Sequence, residues 1–329
     1  MELLCVLCGD INVGKLVWVA CQRAASQTRN SRYNRGLMQR IHSYSGWIAG
    51  LAAASIWGGM YVVSKVVLEV IPPFTLLALR LILGAVSLGL VIYFRKNRGE
   101  TIKNLFWPSF WVGVVGYGIS LGFQFVGTKL STASNGALVT SATPAFVLLF
   151  APFLLGEKAT LKRILALTVS TIGVIAVIDP RTADFSSSLF LGNMSLIAAA
   201  LTWALYSVLV RKVSTSADLL TSSAIMLIGG IPSSIAFSIW EFNTIGIGAI
   251  TPGIIGGILF LGIISTAIAM FLWNYAFSQL PAANASLTFF AQPIVGTLLG
   301  WFFLGETITP LFILGGILIG VGILISAKE

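Results

Sequence analysis

Two prolines stand where a helix crossing a membrane would lose a backbone hydrogen bond. Asn135-x8-Pro144-x11-Gly156-Glu157 recurs as Asn284-x8-Pro293-x11-Gly305-Glu306, every matched residue shifted by 149 positions. A proline has no amide hydrogen and leaves unpaired the carbonyl four residues back, here that of Thr140 and of Phe289. Such carbonyls can serve a solute or a file of water, or the kinks can serve packing alone. The amides Asn135, Asn284, Gln124, Asn274 and Gln292 lie within or at the ends of apolar runs. Each either bonds to a neighbouring helix, worth about 0.6–2 kcal/mol, or, as for Gln292 beside its proline, touches a solute.

Four further groups have chemical reach. Trp57, Trp203 and Trp273 lie inside apolar runs, where they either wall a cavity for an apolar, aromatic or cationic solute or fill the bundle. Trp47, Trp107 and Trp240 sit near run ends and read as interfacial anchors. Arg80 is the one charge deep in a run. At the bilayer centre it costs about 2.5–3.5 kcal/mol on insertion scales, so it faces a partner or a cavity. It attracts a carboxylate or ties helix-end carbonyls; Lys65, near a run end, snorkels. Glu157 and Glu306 precede Thr160 and Thr309-Pro310, which read as helix starts. The glutamates then cap the next helix through its dipole, or act as gates or proton relays.

No Asp, Glu or His falls in the interior of any apolar run, whereas ion-driven carriers keep an ionisable group at mid-membrane. Facilitated diffusion or exchange is therefore expected rather than proton antiport. The chain has no phosphate-binding loop, paired carboxylates, Ser-His pair or HExxH, so no enzyme activity is expected. Cys5-x2-Cys8 has no second ligand pair, and the single histidine is His42, so no metal and no cofactor is expected.

The elements that position these groups follow from composition. The chain is 57% hydrophobic and 9% charged, with mean hydropathy +0.93, too little charge to cover a water-soluble surface. Continuous apolar runs of about 20 residues imply an all-α integral membrane protein and exclude a barrel, whose strands alternate. Ten spans are expected: 47–67, 73–94, 106–127, 133–155, 161–178, 190–210, 219–240, 252–275, 282–303 and 309–326. A second duplication, Ala52-Ala53-Ala54-x2-Trp57-x7-Lys65 against Ala198-Ala199-Ala200-x2-Trp203-x7-Arg211, carries a shift of 146. Two close shifts mean two repeats of five helices. An odd number inverts the second copy, as in many transporters. Lysine and arginine counts place both termini in the cytoplasm, with Glu157 inside and Glu306 outside. The net charge of +9 falls mainly in loops and follows this positive-inside bias, so no nucleic-acid partner is expected. Residues 1–46 read as a basic, disordered cytoplasmic leader, with Met38 an alternative start.

With those residues in place, the chain resembles the drug/metabolite transporter superfamily, EamA type. The carriers of the resemblance are Trp57-Gly58, Arg80, Ser134-Asn135-Gly136-Ala137, Pro144 and Leu155-Gly156-Glu157-Lys158, then Trp203, Asn284, Pro293 and Leu304-Gly305-Glu306. The resemblance implies two EamA-type repeats, 47–180 and 190–327, around a central cavity. Its cavity candidates on this chain are Trp57, Tyr61, Arg80, Trp203, Tyr206, Asn284 and Gln292. It implies a plasma-membrane carrier exporting or exchanging a small metabolite or drug by alternating access. The partners are a small-molecule solute and the lipid bilayer, and a homodimer is compatible with it. The alternatives are a phosphorylated-sugar or nucleotide-sugar carrier, which needs more inward Lys and Arg than Arg80, and a non-transporting receptor or scaffold.

Overall fold

In hydrocarbon every backbone amide must find its partner inside the protein, which leaves helix as the economical answer for continuous apolar runs. The computed structural model describes residues 43–64, 66–95, 102–131, 139–178, 190–214, 218–304 and 310–327, and all regular structure among them is helical. In chain order the helices are α1 (Ser43–Leu68), α2 (Pro73–Phe94), α3 (Asn104–Leu130), α4 (Thr143–Leu155), α5 (Leu161–Ile178), α6 (Phe190–Val213), α7 (Leu219–Thr244) and α8 (Pro252–Gln279). After them come α9 (Ala282–Leu287), α10 (Ala291–Leu304) and α11 (Pro310–Ala327). Six of the described helices, α1, α2, α3, α6, α7 and α8, are long and apolar enough to cross a membrane. Gly46–Glu329 forms one unit. Residues 1–42 of the expected leader lie outside the described residues, as do Lys65, Asn135 and the segment 305–309 with Glu306.

Each of the two prolines follows a departure from α geometry. Pro144 stands in the first turn of α4, which begins at Thr143, and Pro293 is the third residue of α10, after a 3-10 turn over Thr288–Phe290. A proline ring clashes with the carbonyl one turn back, so α geometry restarts at the proline, where its missing amide is harmless. The breaks shorten the fourth and ninth expected spans into helical pieces. α4 ends at Gly156, whose φ of +68° is the left-handed cap that glycine adopts without strain.

Helices from the two halves pack in antiparallel pairs. At one end of α2, the amides of Phe74 and Thr75 donate to the Glu241 carboxylate at 3.1 and 2.9 Å. At the other end, Arg95 pairs with Asp218 at 2.9 Å. Glu241 therefore neutralises the positive N-terminus of α2. α7 runs past the expected end at 240 and carries this buried acid in its last turn. α3 and α6 are likewise antiparallel: Ser120 donates to the Ala199 carbonyl at 2.9 Å and Ser131 to Asn193 at 2.7 Å. α1 lies along α8 through Trp57, whose indole N–H donates to the Ser265 carbonyl at 3.0 Å. α5 and α11 meet with Gly173 against the Gly315 carbonyl and Gly322 against that of Ala166. α3 and α8 also widen into π-helix over Val114–Ser120 and Phe260–Ile268, starting at 114 and 260, the shift of the Trp57 motif.

Outward faces are apolar. Val86, Leu90, Phe153, Ile313, Ile317 and Leu324 are exposed, while Arg80, Tyr117 and Tyr206 are fully buried. That inside-out polarity fits lipid as solvent, and the protein is a multi-pass membrane protein. Trp107 and Trp240 are exposed as anchors should be, but Trp47 is buried.

Candidate solute cavity

Helices from both halves border a pocket of about 400 Å³, a volume that includes space open to the outside. α1 contributes Trp57 and Met60, and α3 contributes Ser120, Leu121 and Gln124. The restart before α4 adds Thr140 and Thr143. From the other half come Ala199, Ala200 and Trp203 of α6, Met270 of α8, Phe289 of the 3-10 turn and Gln292 of α10. Two alanines of the repeated Ala-Ala-Ala-x2-Trp motif thus make the room, and its tryptophan makes the wall. The α1–α10 contact is tight: a Cβ on Gly58 would lie 2.8 Å from the Gln292 carbonyl. Only a glycine lets α1 approach the segment that carries Gln292.

The wall is aromatic. Trp57 meets Trp203 edge-on, centroids 5.6 Å apart at 81°. It also touches Trp273 at 5.3 Å and Phe289 at 6.1 Å. Edge-to-face packing fixes ring orientation more firmly than aliphatic contact does. Trp273 is held from behind, its indole donating to Ser207 at 3.1 Å. Tyr61 ties three helical segments together: it accepts from Gln124 at 2.9 Å and lies 3.4 Å from the Thr140 hydroxyl. Three polar atoms on lining residues have no hydrogen-bond partner: Trp203 Nε1, Gln292 Oε1 and Thr143 Oγ1. Each is a buried polar group whose hydrogen-bonding capacity its neighbours leave unused, a costly state for a folded protein.

Of the residues expected from sequence, Trp57, Trp203 and Gln292 line the cavity and Tyr61 bonds to two lining residues. Arg80, Tyr206 and Asn284 do not line it. Arg80 is buried one layer behind, donating to Thr266 at 3.0 Å and Ser265 at 3.4 Å, with its guanidinium 5.1 Å from the Phe125 ring centre. Its ties are hydroxyls, not helix-end carbonyls. Tyr206 donates to Asn274 at 2.6 Å and pairs with the Tyr117 hydroxyl. Asn284 donates to the Ser326 carbonyl at 3.2 Å.

Glu157 differs from expectation in which helix it caps. Thr160 caps α5, accepting the Arg163 amide at 3.3 Å. Glu157 instead accepts the Ala282 amide at the start of α9, at 3.0 Å, and Arg211 at 2.9 Å. Beyond the αL turn at Gly156 the carboxylate reaches across to the second half while staying 3.7 Å from Arg163 of α5. In the sequence Thr140 and Phe289 stood out only through the carbonyls that Pro144 and Pro293 leave unpaired; Thr143, Met60 and Met270 had no sequence signal as lining beyond their nearness to Pro144, Trp57 and Trp273. Glu241 and Asp218 had none, because their partners are far off in sequence.

The chain matches the EamA-like transporter family over residues 44–178 and again over 190–327. The chain belongs to that family. Among relatives of this EamA-like transporter, the uncharacterized transporter YoaV of Bacillus subtilis (strain 168) is 27% identical over 281 residues, covering 84% of this chain and 94% of YoaV. The WAT1-related protein At3g02690, chloroplastic, of Arabidopsis thaliana is 25% identical over 278 residues, 82% of this chain and 66% of the relative. A protein of known crystal structure superposes with a TM-score of 0.71 at 20% identity, covering 86% of this chain and 96% of that one, which supports the fold. The EamA-like chain is a membrane transporter.

Proposed function

We propose that the chain has ten spans in two inverted five-helix repeats and moves a small organic solute across the plasma membrane by alternating access, as an exporter or exchanger. The observation that carries this reading is the cavity itself, built in comparable measure from α1, α3 and α4 of one half and α6, α8 and α10 of the other. A site on a repeat interface is where two rocking halves expose a solute alternately. The antiparallel packing of α2 on α7 and of α5 on α11 supports the inversion, because each pair joins equivalent helices of the two repeats. The tie of Glu157 to Arg211 and Ala282 fits a closed cytoplasmic end in the N-in topology. The named lining residues carry no ionisable group, which favours uniport or exchange over proton coupling.

The phosphorylated-sugar alternative is disfavoured by a lining without Lys or Arg. A scaffold needs Asn284 and Gln292 both fully bonded to neighbours; Asn284 Nδ2 has a bond, but the side-chain oxygens of both residues have none. The test is counterflow in proteoliposomes with a broad panel of amino acids, amphipathic drugs and small aromatics. At least one solute is expected to exchange in a protein-dependent, saturable way, and no flux across the panel sinks the reading. Cysteine labelling that put positions 157 and 306 on the same face would sink the inverted topology.

A further inference from the structure

The cavity lining narrows the solute class, a step that rests on the carrier reading above. Trp57, Trp203 and Phe289 present ring surface, and no side chain named in the lining ionises at neutral pH. These rings touch one another and form one continuous aromatic wall, against which the face or edge of a planar ring packs. Trp203 Nε1 can only donate, Gln292 Oε1 can only accept, and both are buried and unpaired. A solute with one acceptor and one donor removes both penalties at once.

Charge is settled by what stands behind the wall. Aromatic faces by themselves attract cations. Here Arg80 is fully buried and bonds to the Ser265 hydroxyl, while the Ser265 carbonyl receives Trp57. Among the described residues no acid pairs with Arg80. Its field therefore opposes a cation in the cavity. An anion would meet the opposite sign of field, but it would have to shed its water in a lining without a cationic side chain and face the Gln292 carbonyl oxygen.

We infer that the cavity takes an uncharged planar heteroaromatic solute bearing both a hydrogen-bond donor and an acceptor, an aromatic amide or lactam, and discriminates against its charged isosteres.

Matched probes test this on the full chain purified in detergent. Calorimetric titration compares nicotinamide with nicotinate, its anionic isostere, and with 1-methylnicotinamide, its cationic one. Uracil is compared with orotate in the same way. The uncharged member of each set is expected to bind about tenfold tighter, one net hydrogen bond's worth. Trp203→Phe keeps the ring and removes the N–H, and Gln292→Leu removes the acceptor. Each is expected to weaken nicotinamide by about tenfold with the melting temperature kept. Gln292→Glu is expected to turn the preference toward 1-methylnicotinamide.

A charged isostere that binds as tightly as nicotinamide overturns the inference. So does wild-type affinity for nicotinamide in folded Trp203→Phe and Gln292→Leu. If none of the five probes binds but another panel solute undergoes counterflow, the class is wrong and the carrier reading stands. If nothing binds and nothing moves, both fall.

Discussion

The Glu157 carboxylate receives the Ala282 amide with both oxygens at 3.0 Å, across 125 positions of sequence. Ala282 opens α9, whose first amides have no partner within the helix. The same carboxylate accepts Arg211 Nε at 2.9 Å, and Arg211 extends to the carbonyls of Phe277 and Leu280 at the end of α8. The turn between α8 and α9 is thereby gripped from both sides, amide by carboxylate and carbonyl by guanidinium. Arg163, 3.7 Å from Glu157, adds a second positive neighbour.

Removing that grip should cost more than an ordinary cap. Glu157→Ala strips the acceptor from α9 and leaves Arg211 without its acid, so a loss of about 2 kcal/mol is expected, the upper end for caps. Glu157→Gln keeps an oxygen for Ala282 but drops the ion pair, and about half that loss is expected. Thermal unfolding in detergent at fixed lipid checks both. An unchanged melting temperature in Glu157→Ala would remove the tie from the fold's support.

A different failure is expected at Gly58. A Cβ there would lie 2.8 Å from the Gln292 carbonyl and 3.0 Å from the Gly296 amide nitrogen. Backbone atoms cannot swing aside as a side chain can, so Gly58→Val must push α1 off α10. Overpacking of this kind costs about 1–3 kcal/mol. Because Gln292 rides on the displaced segment, solute affinity should fall even in preparations that stay folded. Titration alongside unfolding separates the two. Wild-type affinity with wild-type melting would mean that the α1–α10 approach is looser than the geometry implies.

What the sequence made legible was periodic or duplicated. Ten apolar runs, the shifts of 149 and 146, and the paired tryptophans are all visible as pattern, and Trp57 and Trp203 do meet in the cavity wall, centroids 5.6 Å apart. What stayed hidden depends on contacts distant in sequence. Glu241 lies 167 positions from Phe74, and no local motif links an acid at one helix end to amides at another helix start. Arg80 was visible as an anomaly, but a lone charge in an apolar run reads equally as a solute anchor or a structural post. Only its bonds to Ser265 and Thr266 place it behind the wall. The turns just ahead of Pro144 and Pro293 stayed hidden because the pattern of apolar residues continues across a change of helix geometry.

Arg80 itself makes an ordering prediction. Its planar fork reaches Thr266 and Ser265 together while it stacks near Phe125. A lysine cannot reproduce that fork or the stacking, yet it keeps a charge out of water. Replacing a buried charge by an apolar side chain of similar length is often close to neutral, whereas a charge stripped of partners is costly. Arg80→Met should therefore melt above Arg80→Lys, with a gap of about 2 kcal/mol expected from the difference between those two cases. The reverse order in thermal unfolding would mean that the positive charge itself stabilises the fold.

The last prediction concerns acid. Asp218 stands at the start of α7 and bonds to Thr221 at 2.7 Å and Arg95 at 2.9 Å. Partial burial alone would raise its carboxyl, but Thr221 and the Arg95 guanidinium outweigh it and hold the group below the usual carboxylate value. A depressed folded value means that the ion contributes stability above the unfolded carboxyl's pKa, about 3.9, and loses it as pH falls below that through the folded value. Arg95 is half-exposed, so solvent screening limits the contribution to about 1 kcal/mol or less. Asp218→Asn should therefore melt slightly below wild type at pH 7 in low salt. The gap should shrink in high salt as the pair is screened, and close as the pH is taken below 4 and the wild-type carboxyl protonates. A gap that persists in acid would assign the effect to the Thr221 bond rather than to the charge.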